Sequence, residues 1–295
     1  MFSIAVSAFN VSKMGYDWES ALSNFLDFGD ELVISINKSE DGTEKAVSEW
    51  AARMAVKTPE KVVKIVLTNF SPNDPPFYGM TQNSAVTNCT NQFIVLVDLD
   101  ERLIPSQRPQ WERLALDYIQ KDQTDTILIP SINLFGDALH AKDINQKWYL
   151  QRQGVKRGVV NFGRKKDGTL DIEKSDGGEP IVDSEGTLAR ALAVIPPNIP
   201  NDQKLALIKQ HNLPYVLHYG YVDLNERVKR NNLFWKRQWE TAAGREVNNI
   251  ATKIEDLQNV PVFEHGLKLQ DENTEQNQKL LEAPAPENQV PQAGN

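Results

Sequence analysis

Short apolar segments alternate with amphipathic ones over the N-terminal third of the chain. Residues 17–29 space their apolar side chains along one face of a helix, with Gly29 as its stop, and residues 44–56 repeat that pattern. The segments around them have the length and composition of strands: FSIAVSA (2–8), ELVISI (31–36), KVVKIVLT (61–68) and QFIVLVD (92–98). This alternation predicts a parallel sheet with helices on both faces, because parallel strands need crossover connections.

The composition is ordinary for a soluble globular protein. Of the 295 residues, 40% are hydrophobic and 24% charged, and the net charge of −8 argues weakly against a general nucleic-acid binder. No apolar run approaches the ~18 residues of a membrane span, and MFSIAVSAFN lacks the basic start of a signal peptide. The single cysteine, Cys89, excludes an internal disulfide. We therefore expect a cytoplasmic protein.

Three carboxylates, those of Asp98, Asp100 and Glu101, follow directly on the fourth predicted strand. Like charges this close repel one another unless a cation holds them together, although an acidic turn is the simpler explanation. Ligands of parallel α/β sheets bind beyond the carboxyl ends of the strands, which here are residues 8–10, 37–41 and 98–101. The position of the carboxylates therefore favours a functional site.

The regular alternation ends near residue 131. Before that point we expect a loop over 69–90, which holds three prolines and several asparagines, a helix over 109–121 and a strand over 126–130. Beyond it, strands are predicted over 157–163 and 187–195, a short helix over 201–212, a strand in YVLHYG that ends on His218, and a basic helix over 223–243. Residues 264–295 are polar, acidic and proline-bearing, so we expect a disordered tail there.

In order and spacing, these segments resemble the GT-A fold nucleotide-sugar glycosyltransferases, and family 2-like enzymes most of all. The resemblance rests on AFN after strand one, KSEDGT after strand two, and Asp98-Leu99-Asp100 after strand four, which matches the family's Asp-x-Asp metal motif. It covers residues 2–105, with a weaker match at 217–223. The chain departs from the family at Asn37, where a base-binding aspartate is commonest.

The resemblance implies a fold and a division of the chain. The fold would be Rossmann-like α/β, with a mixed, mostly parallel central sheet flanked by helices. Residues 1–105 would form the half that binds the nucleotide-sugar, and residues 106–263 the acceptor side of the same catalytic domain.

The resemblance also implies which residues form the site. Asp100 would bind Mn²⁺ or Mg²⁺, which prefer oxygen ligands and offset charge on a leaving diphosphate. His218 is either a second metal ligand or a structural histidine bonded to the backbone. A donor, in the first place a UDP-sugar, would be bound by Ala8, Asn10, Asn37, Ser39, Asp41 and, at the ribose or a metal-bound water, Asp98.

An inverting enzyme of this family also needs a downstream carboxylate that accepts the proton of the acceptor hydroxyl. Asp137 and Asp143 are the candidates, and each is equally explained as a solvated loop charge. The Gln-x-x-Arg-Trp motif of processive synthases is absent. We therefore expect transfer of a sugar to an unidentified acceptor hydroxyl rather than processive polymerisation.

Basic residues are concentrated in two segments of this acidic chain. Residues 147–166 hold seven basic side chains and no acidic one, and a second group comprises Arg227, Lys229, Arg230, Lys236 and Arg237. A charge run is usually a solvated surface. Two further interpretations stay open: neutralisation of the donor diphosphate, and binding of an acceptor such as modified DNA, a phosphorylated glycan or a lipid-linked intermediate.

Two other functions stay open at this point. A nucleotidyltransferase acting on a sugar phosphate has a similar sheet and an aspartate-held metal. It normally carries a glycine-rich basic loop after strand one, where this chain offers only Lys13 and Gly15. A catalytically inactive binding protein with the GT-A fold is favoured only by Asn37.

Overall fold

One large mixed sheet organises the chain in the computed structural model, which describes residues 1–73, 77–157, 181–182, 189–237, 240, 246, 250–258 and 260–267. The helices are α1 (Trp18–Phe28), α2 (Thr43–Lys57), α3 (Phe77–Val86), α4 (Arg108–Leu114), α5 (Asn201–His211) and α6 (Leu224–Arg230). The strands are β1 (Phe2–Ala8), β2 (Glu31–Asn37), β3 (Val62–Thr68), β4 (Phe93–Val97), β5 (Glu101–Arg102), β6 (Thr126–Phe135), β7 (His140–Arg152), β8 (Lys156–Arg157), β9 (Ile181–Val182), β10 (Ala191–Ala193), β11 (Val216–Tyr221) and β12 (Phe263–Glu264). Within these ranges no helix is long and apolar enough to cross a membrane.

The sheet is mostly parallel. Its strand order is β3-β2-β1-β4-β7-β6-β11-β5, with β10 beside β6 and β12 beside β7. The first four strands pair in parallel, and so does β6 with β10 and β11. β7 runs antiparallel to both of its neighbours, β4 and β6. The predicted architecture, a mixed α/β fold with a mostly parallel central sheet flanked by helices, is confirmed.

Helices cover both faces of the sheet because successive residues of a strand point to opposite sides. Ile4 and Val6 of β1 belong to a buried cluster that includes Phe25 of α1 and Trp50 of α2. Ala5, between them, belongs to a second cluster that α3 supplies from the other face. Full burial of each large apolar side chain stabilises the fold by about 1.5–3 kcal/mol, so the two clusters fix the sheet between its helices.

The N-terminal elements predicted from the alternation are all present. β1, α1, β2, α2, β3 and β4 begin and end within one residue of the predicted bounds. The helix predicted over 109–121 is α4, which continues through a wider π-helical turn at Ala115–Ile119. The predicted strand YVLHYG is β11, although it runs past His218 to Tyr221.

The loop predicted between β3 and β4 is wrong over Phe77–Val86, where the chain forms α3. This segment mixes small and polar residues and shows no clear apolar stripe. Seven of its ten residues are nevertheless buried, including Gln82 and Asn83. Tertiary packing makes this helix, and the prolines directly before Phe77 are the local signal that marks its start.

The sequence also missed the long hairpin of β6 and β7. β6 extends five residues beyond the predicted Pro130, and β7 is a thirteen-residue strand where no strand was predicted. Gly136, with φ of 76°, and Asp137, which accepts the N–H groups of Leu139 and His140, form the turn. β7 is polar because its side chains are used in the site described below.

Several predicted segments extend beyond the described residues. The predicted strand 157–163 lies outside them apart from residue 157, and so do residues 268–295 of the predicted tail. At the start of that tail, Glu264 pairs with β7 and His265 is buried, with its Nε2 2.9 Å from the carbonyl of Ala138. The division at residue 105 stays a prediction, and the large sheet contains strands from both sides of it.

Asp125, at the start of β6, gives a prediction about stability. Hydrogen bonds from Arg190 at 2.8–3.1 Å, together with the charge of Arg152, lower the pKa of Asp125 from 3.8 to about 2. A carboxylate with a depressed pKa stabilises the fold above its unfolded pKa and loses that effect as the pH falls through the folded one. We expect Asp125→Asn to lower the free energy of unfolding by about 1–2 kcal/mol at neutral pH, and by about half as much near pH 3.

Urea unfolding at the two pH values measures this difference. Asp117→Asn is the control, because Asp117 forms an exposed pair with Lys121 at 3.0 Å that is worth less than about 0.5 kcal/mol. A loss for Asp125→Asn that is the same at both pH values would contradict the assignment.

Candidate active site

The acidic residues after β4 form a tight turn at the carboxyl edge of the sheet. The backbone N–H of Asp98 donates to Glu101 Oε2 at 2.8 Å, and the N–H of Glu101 donates to the carbonyl of Asp98 at 3.0 Å. β5 then pairs antiparallel with β11, so that Glu101 lies opposite His218, and the N–H of Tyr219 donates to the carbonyl of Asp100. This register brings His218 beside Asp100.

Glu101 is the structural member of the three carboxylates. It is fully buried, and its Oε1 accepts from Lys147 Nζ at 2.7 Å and from the Tyr149 hydroxyl at 2.5 Å. Burial lowers the pKa of Lys147, but the charges of Glu101 and Asp98 outweigh that effect and raise it overall. Lys147 therefore balances the charge of Glu101 through an ion pair. Part of the repulsion among the three carboxylates is relieved by this lysine and does not require a metal ion.

Asp100 and His218 place two potential metal-binding atoms side by side. Asp100 Oδ2 lies 3.3 Å from His218 Nε2, and both side chains are largely buried, at 13% and 12% exposure. Burial favours the neutral form of Asp100, but His218, Lys147 and Arg230 more than offset it and hold the pKa of Asp100 well below its ordinary value. Asp100 is therefore a carboxylate at neutral pH.

The ring of His218 is oriented by Asn133 of β6. His218 Nδ1 lies 2.6 Å from Asn133 Oδ1, and an amide oxygen can only accept, so Nδ1 carries the proton. With Nδ1 protonated, Nε2 donates to Asp100 Oδ2 when the ring is charged, and its lone pair is available to a metal ion when the ring is neutral. Asn133 in turn donates to Asp143 on the neighbouring strand, its direct cross-strand partner.

The space around these two atoms fits a divalent cation. A Cβ placed on Gly220 would lie 2.7 Å from His218 Nε2 and 2.9 Å from Asp100 Oδ2. Because glycine has no Cβ, the space next to both atoms is not filled by a side chain at this position. Two ligands at right angles on Mg²⁺ lie about 3.0 Å apart, close to the observed 3.3 Å. No group of three or more histidine, cysteine, aspartate or glutamate side chains that could hold a metal ion occurs in the described part of the chain.

Asp98 faces α3 rather than Asp100. Its Oδ1 accepts from the Tyr78 hydroxyl and from Gln82 Nε2, the latter at 3.0 Å. Burial and the neighbouring charge of Glu101 raise the pKa of Asp98. Tyr78 and Gln82 were not predicted as site residues, because a loop was expected where they form part of α3. A small cavity next to Asp98 is lined by aromatic side chains, among them Phe9, Tyr16, Phe77, Tyr78, Phe234 and Trp235.

A second cavity, of about 540 Å³, opens beyond the carboxyl ends of β1 to β3 and shares Phe9 and Phe234 with the first. Two of the predicted donor-binding residues line it, Asn10 and Ser39. Asn10 has a left-handed backbone with φ of 47°, and its side chain accepts from the N–H of Glu40 at 3.0 Å. The cavity therefore lies where the sequence predicted a nucleotide.

The other predicted donor-binding residues hold the loops around this cavity. Asn37 is buried, and its amide bonds to both backbone groups of Phe70, at 2.8 and 3.1 Å. Asp41 accepts from the N–H groups of Lys13 and Thr43, which ties the loop after β1 to the start of α2. Ala8 is buried at the end of β1. Their direct contact with a donor stays a prediction.

The two candidate bases lie in different surroundings. Asp137 is in the β6–β7 turn, where it bonds His140 Nδ1 at 2.7 Å, and none of its hydrogen bonds reaches the acidic turn. Asp143 lies on β7, accepts from Lys142 Nζ at 2.8 Å, and is joined through Asn133 to His218. Of the two candidates, only Asp143 is joined by described hydrogen bonds to the pair formed by Asp100 and His218.

The basic residues singled out from the sequence separate in the fold. Of residues 147–166, the segment to 157 is described, and its first member, Lys147, neutralises Glu101. In the second group, Arg230 is buried near Asp100 and donates to the carbonyl of Gly220 at 2.9 Å. Arg237 lines the second cavity, the one beyond the carboxyl ends of β1 to β3.

The fold is similar to solved structures of GT-A type glycosyltransferases, the class that the sequence motifs resemble. No protein family model matches the chain, and no curated protein matches it.

Three of these structures are representative. TarS from S. aureus, in complex with UDP-GlcNAc, is 22% identical over 47% of this chain and 36% of that chain, with a TM-score of 0.33. The mannosyltransferase PcManGT from Pyrobaculum calidifontis, with GDP-Man and Mn²⁺, is 13% identical over 83% and 65%, with a TM-score of 0.42. Glucosyl-3-phosphoglycerate synthase from Mycobacterium tuberculosis, with Mn²⁺, UDP-glucose and phosphoglyceric acid, is 14% identical over 45% and 44%, with a TM-score of 0.28. Because all three TM-scores are below 0.5, we draw the function from the site of this chain itself.

Proposed function

We propose that the protein is a metal-dependent glycosyltransferase that moves a sugar from a nucleotide-sugar, in the first place a UDP-sugar, to an acceptor hydroxyl. One observation carries the proposal: Asp100 and His218 present a carboxylate oxygen and a ring nitrogen 3.3 Å apart at the carboxyl edge of the sheet. Asp98 lies in the same turn, and a cavity sized for a nucleotide lies beyond the neighbouring strands.

Different residues of the site would have different roles in such a transfer. Asp100 and His218 would hold Mn²⁺ or Mg²⁺, which, when bound, offsets the charge that develops on the leaving diphosphate. Arg230 adds a fixed positive charge beside Asp100. Asn133 keeps His218 in the tautomer that leaves Nε2 free. Ser39 and Asn10, which line the cavity, would bind the nucleoside.

We also propose that the reaction inverts the anomeric carbon and that Asp143 is the base. Inversion needs one carboxylate that accepts the hydroxyl proton as the acceptor attacks. Asp143 is supported by its link through Asn133 to His218, while the bonds of Asp137 are used in the hairpin turn. A cytoplasmic location is part of the proposal and is supported by Cys89, a buried thiol without a disulfide.

The alternatives gain nothing from the structure. For a nucleotidyltransferase, a basic residue after β1 would have to meet a triphosphate, but Lys13 does not line the cavity beyond β1 to β3. An inactive binding protein was favoured only by the departure from the family at Asn37. That departure has a structural explanation, because the Asn37 side chain bonds to the backbone of Phe70.

Thermal unfolding with UDP, GDP, CMP and dTDP, each with and without Mn²⁺, tests the proposal. A nucleotide at 100 times its Kd contributes about 2.7 kcal/mol, which raises the melting temperature by about 5 °C or more. We expect one nucleotide to give this shift, and only with Mn²⁺. If no nucleotide shifts the transition in either condition, the proposed donor site does not exist.

The two candidate bases can be separated by mutation. We expect Asp143→Asn to lower kcat by about 10²–10⁴-fold and to leave the Mn²⁺-dependent stabilisation by the nucleotide in place, because a base acts on the acceptor and not on the donor. Asp137→Asn should leave kcat within about threefold and lower the melting temperature, since its bonds close the hairpin turn. Steady-state kinetics with the donor identified above measures kcat for both variants, and thermal unfolding measures their melting temperatures. A large loss of kcat in Asp137→Asn but not in Asp143→Asn would identify Asp137 as the base.

A further inference from the structure

A third cavity, of about 670 Å³, shares no lining residue with the second cavity. It is lined by residues near the turn of the β6–β7 hairpin and by residues that follow α6. Four of its lining residues are cationic and one is acidic: Lys142, Arg227, Lys236, Lys253 and Asp256. A concave surface with this excess of positive charge, on a protein whose net charge is −8, points to an anionic ligand.

Two of the cations lack a carboxylate partner within the described residues. Arg227 donates from Nη2 to the Tyr221 hydroxyl at 3.1 Å, and its Nε is buried without a hydrogen-bond partner. Lys253 forms no ion pair in the described ranges. Lys236 is held only loosely, at 3.7 Å from Glu240 and 4.0 Å from Glu246. The one acid, Asp256, accepts from the backbone N–H groups of Thr252 and Lys253.

An aromatic ring connects this cavity to the catalytic groups. Tyr221 lies under the guanidinium of Arg227 at 4.2 Å and under Lys142 Nζ at 4.5 Å, and its ring centroid is 6.2 Å from that of His218. Lys142 also donates to Asp143, the proposed base, at 2.8 Å. A ligand seated on these cations would therefore present its remaining groups toward Asp143 and His218, where an acceptor hydroxyl is required.

We propose that this cavity binds a phosphate group of the acceptor, so that the acceptor is a phosphate ester. The inference rests on the proposed glycosyltransferase function, for which it names the acceptor class. Phosphate matches the site better than a carboxylate does, because its additional oxygens can accept from an arginine fork and several ammonium groups at once. The phosphate can belong to a monoester, as in a sugar phosphate, or to a diester of a nucleic acid strand.

Calorimetric titration of the full chain separates the two sources. The probes are glycerol 3-phosphate as a monoester, a single-stranded hexanucleotide as a diester, and glycerol as the uncharged control. The test variant is Lys236→Gln with Lys253→Gln. The matched control, Lys45→Gln with Lys57→Gln, removes the same charge from exposed lysines of α2 that do not line the cavity. Stabilisation by UDP and Mn²⁺ is measured on the same samples.

We expect one phosphate probe to bind and glycerol not to bind. The test variant should weaken that binding at least ~10-fold for each lysine removed, and the control by less than about twofold. Failure of both phosphate probes, or equal binding by the test variant and the wild type, would overturn the proposal. Phosphate binding without a UDP–Mn²⁺ shift would instead refute the glycosyltransferase function and leave the anion site standing.

Discussion

Asp100→Asn is expected to abolish the metal response of the protein. Asparagine keeps the size of the side chain but removes the charge, which His218, Lys147 and Arg230 stabilise in the wild type. We expect sugar transfer to fall by about 10³-fold, since the ion that this carboxylate would hold supplies several kcal/mol of charge stabilisation. The stabilisation by nucleotide should no longer depend on Mn²⁺.

The readout has to be separated from a change in stability. Buried Arg230 loses the nearby negative charge of Asp100 in the variant. The melting temperature of the ligand-free variant will therefore also change. The shift by nucleotide is therefore measured relative to each variant's own ligand-free transition. Asp117→Asn, which removes a half-exposed carboxylate paired with Lys121, is the matched control. A variant Asp100→Asn with unchanged Mn²⁺ dependence would remove Asp100 from the metal site.

Gly220→Ala is expected to disrupt the metal site with little damage to the fold. A Cβ at this position would lie 2.7 Å from His218 Nε2 and 2.9 Å from Asp100 Oδ2, so the two side chains must move apart. The backbone itself accepts alanine, because Gly220 is not among the glycines with positive φ. We expect the Mn²⁺ concentration for half-maximal activity to rise at least ~10-fold, as when the orientation of metal ligands is lost.

Gly154→Ala supplies the opposite control. Gly154 has φ of 88°, and a Cβ on this residue would meet no atom within 4 Å, so alanine there strains the backbone without touching the site. We expect it to lower the free energy of unfolding by about 1–2 kcal/mol and to leave the Mn²⁺ dependence unchanged. If both variants change stability and metal dependence alike, the effect of Gly220→Ala is a general loss of structure.

Local periodicity was sufficient for the N-terminal elements. The apolar face of α1 and the strand-length apolar runs are properties of neighbouring residues, so β1 to β3 and β4 were predicted within one residue. The same reasoning placed Asp98 and Asp100 at the carboxyl edge, because parallel strands end together there. α3 was missed because its polar residues Gln82 and Asn83 are buried by contacts that no local pattern encodes.

The polar half of the site depends on contacts between residues far apart in the chain. Lys147 reads as part of a solvated basic run, yet β7 lies between β4 and β6 and carries it to Glu101. Asn133 had no signal of its own in the sequence, since its role comes from its cross-strand register with Asp143.

The sequence by itself determined the alternating architecture, the edge of the sheet at which ligands are expected, and the presence of two aspartates after β4. Only the tertiary structure decided that His218 lies beside Asp100, that Glu101 is neutralised by Lys147, and that Asp143 rather than Asp137 is linked to the site. The physical reason is the range of the interactions. Helix and strand periodicity are set by neighbours in the chain, whereas the register of β5 on β11 and of β6 on β7 is fixed by pairing between distant segments.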